Sequence, residues 1–156
     1  MLRILALIAA AFILLSRAGL CPRINKDAAI RCYDAVISTL SKLTLTHEPW
    51  LLGEREFSDM SGCCGEYSCD GADLNGSDFV FGSSSVYEKK IKLTAKIETF
   101  SGSAEMFVII SGEKSLCRFD KNGKFEGTFI FSGSSGVAVV YDGFTGSIKI
   151  TSEEAE

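Results

Sequence analysis

Strict alternation of apolar and polar residues marks one segment of the chain, residues 91–98. The odd positions from Ile91 to Ile97 are apolar, and the even positions from Lys92 to Glu98 are charged or hydroxylated. Because successive side chains of a strand point to opposite faces, this period of two predicts a strand with one buried face. Such a strand belongs to a sheet that has one solvated side.

Other short apolar segments follow, separated by Gly- and Ser-rich turns. Residues 106–110 are apolar at every position, which indicates a central strand, and Asn122-Gly123 is typical of a hairpin turn. No helical pattern separates these segments, so they predict a two-sheet antiparallel β-sandwich, jelly-roll-like, over residues 78–151. The predicted strands are 79–82, 86–100, 104–111, 115–120, 124–132, 137–142 and 146–151.

The part of the chain before residue 78 has a different pattern. Residues 25–43 predict a helix that Asn25 or Asp27 can cap, and residues 58–77 form a Gly- and Cys-rich segment that reads as a loop. We expect the apolar stripe of the helix to pack against the sheet, because an amphipathic helix must bury that face. The stripe consists of Ala29, Tyr33, Val36, Leu40 and Leu43.

The N-terminal residues have the layout of a secretory signal peptide. Arg3 precedes an unbroken apolar run, residues 4–15, and Ser16-Arg17-Ala18 places small residues around a cleavage site. The run is shorter than the roughly 20 residues that span a bilayer. We therefore expect residues 1–18 to be removed and residues 19–156 to form one secreted, extracellular domain without a transmembrane segment. The alternatives are an uncleaved helix and a lipoprotein signal at Cys21, which the bulky Leu20 disfavours.

Charge restricts the class of partner. The chain has 16 Lys and Arg residues against 20 Asp and Glu residues, a net charge of −4. Removal of Arg3 and Arg17 with the leader makes the balance more acidic. Nucleic-acid binding requires a basic surface, so a nucleic-acid partner is disfavoured.

An even number of cysteines in an exported chain predicts disulfides. Adjacent cysteines rarely bond to each other, so we expect the 63–69 segment to bridge once to the helical segment and once to Cys117. The alternative is a zinc site made by Cys63, Cys64 and Cys69, which oxidising surroundings and the lack of CxxC spacing disfavour. The six cysteines are Cys21, Cys32, Cys63, Cys64, Cys69 and Cys117.

An acidic stretch next to the Cys-rich segment offers oxygen ligands. Calcium could bind there, and the alternative is a solvated loop without a metal. Asn75-Gly76-Ser77 is also an N-glycosylation sequon on the same stretch. The candidate calcium ligands are Asp70, Asp73, Asn75 and Asp78.

Four residues are candidates for contact with a ligand. Trp50 and Phe144 are the two aromatic candidates; Phe144 lies in a turn where a large ring has little cover, and exposed aromatics there often serve recognition. The alternative is that both rings fold back onto the core. Lys90 and Lys92 belong to a basic row with Lys89 and Lys96. That row could bind a sulfated glycan or a lipid surface, and the alternative is that it protects a strand edge from pairing.

No pattern of catalytic residues stands out. His47 is the only histidine, and no nucleophile elbow, HExxH helix or phosphate loop is present. We therefore predict no catalytic residues, no cofactor and no enzyme activity. A hydrolase built on a pair of carboxylates stays an alternative, because acidic residues are plentiful.

The strand series resembles the pattern of many extracellular binding modules, such as jelly-roll carbohydrate-binding and adhesion domains, over about half the chain. This resemblance implies a secreted, disulfide-stabilised protein that recognises a glycan or another protein. A secreted effector, toxin or inhibitor that acts through residues 58–77 is the second hypothesis.

Overall fold

A computed structural model describes residues 26–46 and 50–155. The chain divides into two units, 1–32 and 33–156. The described part of the first unit, residues 26–32, is the start of a helix that continues into the second. The predicted signal peptide, Cys21 and His47 lie outside the described residues. Helix α1 spans Lys26–Thr46, and the strands are β1 (Glu54–Phe57), β2 (Gly65–Ile110), β3 (Glu113–Cys117) and β4 (Lys124–Glu154).

The described chain is mainly β, with one helix near its start and antiparallel strand pairing throughout. This confirms the predicted class and the position of the helix. Among the described residues, no helix is both long and apolar enough to cross a membrane.

The two long strands bend, and their pairing falls into two separate runs of segments. Run A has the order 54–57, 65–71, 146–154, 89–99 and 124–131. Run B has the order 76–85, 133–142, 103–110 and 113–117. Successive segments of β2 and of β4 alternate between run A and run B, so each bend transfers the chain from one run to the other.

Glycines make the transfers possible where the bends are sharp. Gly102 and Gly143 have φ values of +68° and +57°, a region that side chains disfavour. The two bends also touch, because a Cβ on Gly102 would lie 2.1 Å from the Gly143 carbonyl oxygen. These sites match turns that the sequence predicts.

One buried cluster unites side chains from both runs. Alternate residues of each segment point into it, as the period-two pattern predicts, and Ile91 and Leu93 are fully buried. Residues 106–110 pair with β3 on one side and β4 on the other, which confirms the predicted central strand. Run A contributes Tyr67, Ile91, Leu93, Ile148 and Ile150, and run B contributes Val80, Met106, Val108, Val137 and Val139.

A polar network is enclosed at the edge of this core. The carboxylate of Asp78 accepts hydrogen bonds from the backbone N–H groups of Leu52 (3.0 Å) and Gly53 (3.1 Å) and from the Tyr67 hydroxyl. The hydroxyls of Tyr67 and Tyr141 lie 2.7 Å apart. Burial raises the pKa of both phenols, so both stay neutral hydrogen-bonding groups.

Helix α1 turns a different face to the strands from the one expected. Asp34 accepts a 2.7 Å bond from the Ser85 hydroxyl, and the Ser38 hydroxyl donates to the Ser84 carbonyl at 3.3 Å. The predicted apolar stripe stays largely exposed, with Tyr33 at 58% and Leu43 at 50%. The expectation that the stripe packs on the sheet is therefore wrong, because a polar face of the helix satisfies backbone groups of β2.

Two further expectations need correction. The second half of the predicted 58–77 loop is strand, since β2 begins at Gly65 and directs Tyr67 and Cys69 into the core. The turn at Asn122-Gly123 exists, but it does not make a hairpin. β3 pairs with β2 in run B, whereas the segment after Gly123 pairs with residues 89–96 in run A.

Candidate anion-binding groove

Three lysines lie side by side on the outer face of run A. The period-two pattern of residues 91–98 buries Ala95 and exposes Lys96. In the strand register, Lys96 is directly opposite Lys149 on one side and Lys124 on the other. Side chains directly opposite each other have Cβ atoms about 4.5–5.5 Å apart, and like charges at that spacing repel.

The lysine row forms part of a groove of about 700 Å³. Threonines from the two central segments, Thr94 and Thr151, line it beside the lysines. The loop between β3 and β4 closes one side and adds Arg118 and Asp120. We call this feature the lysine groove; its charged lining residues are Lys96, Arg118, Lys124 and Lys149, with Asp120 and Glu126.

The carboxylates in and near the lysine groove are already engaged. Glu126 pairs with Lys92 at 2.8 Å, and this hydrogen bond lowers the pKa of Glu126 and raises that of Lys92. Asp120 accepts 2.8 Å bonds from the backbone N–H groups of Lys124 and Asn122, which lower its pKa. These acids therefore stay ionised and held by their own partners.

The groove cations are paired to different degrees. Lys149 pairs with Glu66 at 2.8 Å and Lys96 with Glu98 at 2.5 Å, and all four side chains are more than half exposed. Ion pairs at such exposure are worth about 0–1 kcal/mol, so an incoming anion can replace the carboxylate. The ion pairs formed by residues 26–46 and 50–155 include neither Lys124 nor Arg118.

The predicted contact lysines lie beside the groove rather than in it. Lys92 is held by Glu126, and Lys90 is exposed farther along the same segment. Lys89 points the other way, because its ammonium donates to the Ser61 hydroxyl at 3.1 Å. The basic row of the sequence therefore divides, and only Lys96 faces the other groove cations.

The two aromatic candidates differ in their exposure to solvent. Trp50 is 83% exposed. Phe144 is fully buried with its ring centroid 5.5 Å from that of Tyr141, so this ring folds back onto the core and is not displayed for a ligand. Phe100, which sequence reasoning missed, is 82% exposed at the bend before Gly102. It had the same signal as Phe144, an aromatic residue next to a Gly turn.

The four candidate calcium ligands do not converge as a set, although Asn75 Nδ2 lies 3.5 Å from Asp73 Oδ1. Asp78 is buried and its carboxylate is used by Leu52, Gly53 and Tyr67. Asn75 ties its own bend to the neighbouring turn, since its Oδ1 accepts a 2.9 Å bond from the Gly143 backbone N–H. Asp70 and Asp73 remain exposed. Asn75 is exposed as well, so the glycosylation prediction stays open.

The described cysteines are all free thiols. Cys32 is exposed, and Cys63, Cys64, Cys69 and Cys117 are buried. Cys63 and Cys64 have their Sγ atoms 3.8 Å apart, which is a contact between thiols and not a bond. None of the predicted bridges is present among these residues, and the disulfide framework stays a prediction.

No protein-family model matches the chain, and no curated protein matches it. Solved structures with some likeness include the pre-peptidase C-terminal domain of a Bacillus anthracis collagenase, at 14% identity and a TM-score of 0.43, covering 59% of this chain and 90% of that one. A carbohydrate-binding module of family 35 from Cellvibrio japonicus Abf62 has 8% identity and a TM-score of 0.36, with 68% and 87% covered.

A family 6 module from Cellvibrio mixtus lichenase 5A, solved with cellotriose, has 8% identity and a TM-score of 0.32, with 67% and 88% covered. Likenesses of this size carry no argument about what this chain binds.

Proposed function

We propose that the protein is a secreted, non-catalytic recognition domain that binds an acidic glycan in the lysine groove. One observation supports this above all: Lys149, Lys96 and Lys124 are direct partners across three neighbouring segments. Repulsion between them destabilises the folded protein, and a sulfate or carboxylate group placed over the row would remove it.

The form of the groove favours a chain-like ligand over a small ion. Its volume of about 700 Å³ is open on the sheet face, and Thr94 and Thr151 offer hydroxyl groups between the charges. Hydroxyls and ammonium groups together suit a sugar chain that carries both neutral and anionic substituents. The net charge of −4 of the whole chain weakens the long-range attraction of a polyanion to this face. This argues against a protein that binds polyanions in general.

Two further inferences accompany this proposal. We infer that runs A and B are the two layers of a jelly-roll-like β-sandwich, since they alternate along the chain and share one core. We also infer that the protein is exported, because Arg3, the apolar run and Ser16-Arg17-Ala18 match a cleavable leader.

Calorimetry with a heparin hexasaccharide tests the proposed function. The native protein should bind it, and its desulfated counterpart should bind far more weakly. The Lys96→Gln/Lys124→Gln variant should raise the dissociation constant at least about tenfold, which equals about 1.4 kcal/mol. Higher salt should weaken the native interaction, because exposed charges are screened.

A matched control removes two other lysines. Lys90→Gln/Lys114→Gln has the same net charge as the groove variant, and both of its sites are exposed outside the groove lining. It should keep most of the affinity. An equal loss in both variants, equal binding of the desulfated sugar, or equal binding of a short DNA duplex would contradict the proposal.

A further inference from the structure

A closed turn between β1 and β2 gathers two thiols and a carboxylate. The Ser58 backbone N–H donates to the Cys64 carbonyl at 3.0 Å and closes this turn. Gly62 has a φ of +80°, and its N–H donates to Asp59 Oδ1 at 2.9 Å. The Asp59 carboxylate is therefore fixed inside the turn.

Three potential ligand atoms converge there. The Sγ atoms of Cys63 and Cys64 are 3.8 Å apart, and Cys63 Sγ is 3.2 Å from Asp59 Oδ2. All three atoms lie within 4.8 Å of one another. A tetrahedral zinc ion with Zn–S distances of about 2.3 Å separates two sulfur ligands by about 3.8 Å and a sulfur from an oxygen by about 3.5 Å.

We infer that Asp59, Cys63 and Cys64 form a binding site for a thiophilic divalent metal ion, with zinc as the expected occupant. This site is independent of the lysine groove and of the inferred export. It requires both thiols to be reduced, as they are in the described structure, whereas oxidising surroundings would compete with the metal for them. Ser61 lies beside these three ligands and helps to position them, since its hydroxyl oxygen lies 2.8 Å from Cys63 Sγ and it donates a hydrogen bond to the Asp59 carboxylate.

Charge balance favours a divalent ion at this position. Cys63 is fully buried and Cys64 nearly so, and buried charge needs compensation. Two thiolates and one carboxylate carry three negative charges, which a divalent cation reduces to one. The Lys89 ammonium, 3.1 Å from Ser61 Oγ, supplies the remaining positive charge.

The ligand set differs from the zinc site that the sequence suggested. Cys69 is directed elsewhere, where its thiol interacts with the phenols of Tyr141 and Tyr67. Asp59 takes its place in the described structure. Sulfur ligands select zinc or another thiophilic ion over calcium and magnesium, which require oxygen ligands.

Cobalt titration of the reduced, metal-free protein tests the inference. One equivalent of Co²⁺ should produce thiolate-to-cobalt charge-transfer absorption and the visible bands of tetrahedral cobalt, and Zn²⁺ should displace it. Cys64→Ser should abolish the charge-transfer intensity or halve it. Asp59→Asn retains both thiols and should weaken Zn²⁺ affinity at least about tenfold, a loss seen even when an outer-shell partner is removed.

Cys117→Ser is the matched control, because it removes a buried thiol in β3. Its cobalt spectrum should equal that of the unmodified protein, and circular dichroism should show every variant folded. The inference is overturned if the folded, reduced protein binds no cobalt at micromolar protein concentration. Equal loss in Cys117→Ser, or full Zn²⁺ affinity in Asp59→Asn, would also overturn it.

Discussion

Lys124 is the residue at which the proposed function and the stability of the fold would oppose each other. It faces Lys96 across the strand pair, and the described ion pairs do not include it. Asp120, in the same turn, is held by backbone N–H groups and interacts only weakly with the Lys124 ammonium, without forming an ion pair. This arrangement supports the proposal that an anion binds at Lys124.

We predict that Lys124→Gln raises the free energy of unfolding by about 0.2–1 kcal/mol while it weakens binding of the heparin hexasaccharide. Relief of repulsion between Lys124 and Lys96 is the physical reason. Urea denaturation at low salt measures the gain, which should shrink at high salt because of screening. Lys121→Gln, exposed in the same turn, should show no gain. A loss of stability in Lys124→Gln would contradict this explanation.

The residue patterns predicted to which face of a strand each side chain points. They did not predict which residues lie next to it in the fold. The alternation correctly buried Ile91 and Leu93 and exposed Lys96. It could not reveal that Lys124 and Lys149 lie opposite Lys96, because register depends on which distant segments pair. Phe100 and Phe144 had the same local signal, and tertiary packing alone buried one and exposed the other.

At the scale of elements, turn chemistry determines where the strands bend. Gly123 has a φ of +68°, and a Cβ there would lie 2.2 Å from the Ile97 carbonyl oxygen. The close approach of Gly123 and Ile97 stabilises the fold, because the Ile97 N–H donates a hydrogen bond to the Gly123 carbonyl at 2.8 Å. This turn therefore ties the loop that bears Arg118 and Asp120 to the segment that bears Lys96.

Gly123→Ala should destabilise the protein by about 2–4 kcal/mol, because a left-handed backbone and a steric clash act together. Gly112 is the matched control, since its φ is +88° and a Cβ there would meet nothing within 4 Å. Gly112→Ala should therefore lose only about 1 kcal/mol. Thermal and urea unfolding compare the two, and equal losses would show that the Gly123 contact is unimportant.

The sequence predicted an element well where a local pattern determines it. The prediction was poor where the pairing of distant segments determines the element. The alternation over residues 91–98 and the Gly turns fixed most strand positions of run A and run B. The glycine-rich start of β2 looked like a loop, although Tyr67 and Cys69 already alternate with polar residues. The sequence could not predict which face of α1 contacts the strands. That face is determined by hydrogen bonds of Asp34 and Ser38 with backbone groups of residues 84–86, which are distant in the sequence.

At the scale of the whole molecule, alternation between the two runs creates the lysine groove. Its lysines come from positions 96, 124 and 149, and they become neighbours only because β4 crosses from run A to run B and returns. Composition gave no hint of this, since the chain as a whole is acidic. The fold therefore brings three lysines together on one face of a negatively charged protein, with carboxylates paired beside them.

The most direct test is to map a heparin hexasaccharide onto the protein by amide chemical shifts in solution. We predict that titration perturbs residues 94–96, 118–126 and 149–151 together, and leaves residues 106–117 of run B unchanged. Perturbations centred on Trp50, on Phe100 or on residues 58–64, with the lysine groove silent, would contradict the account.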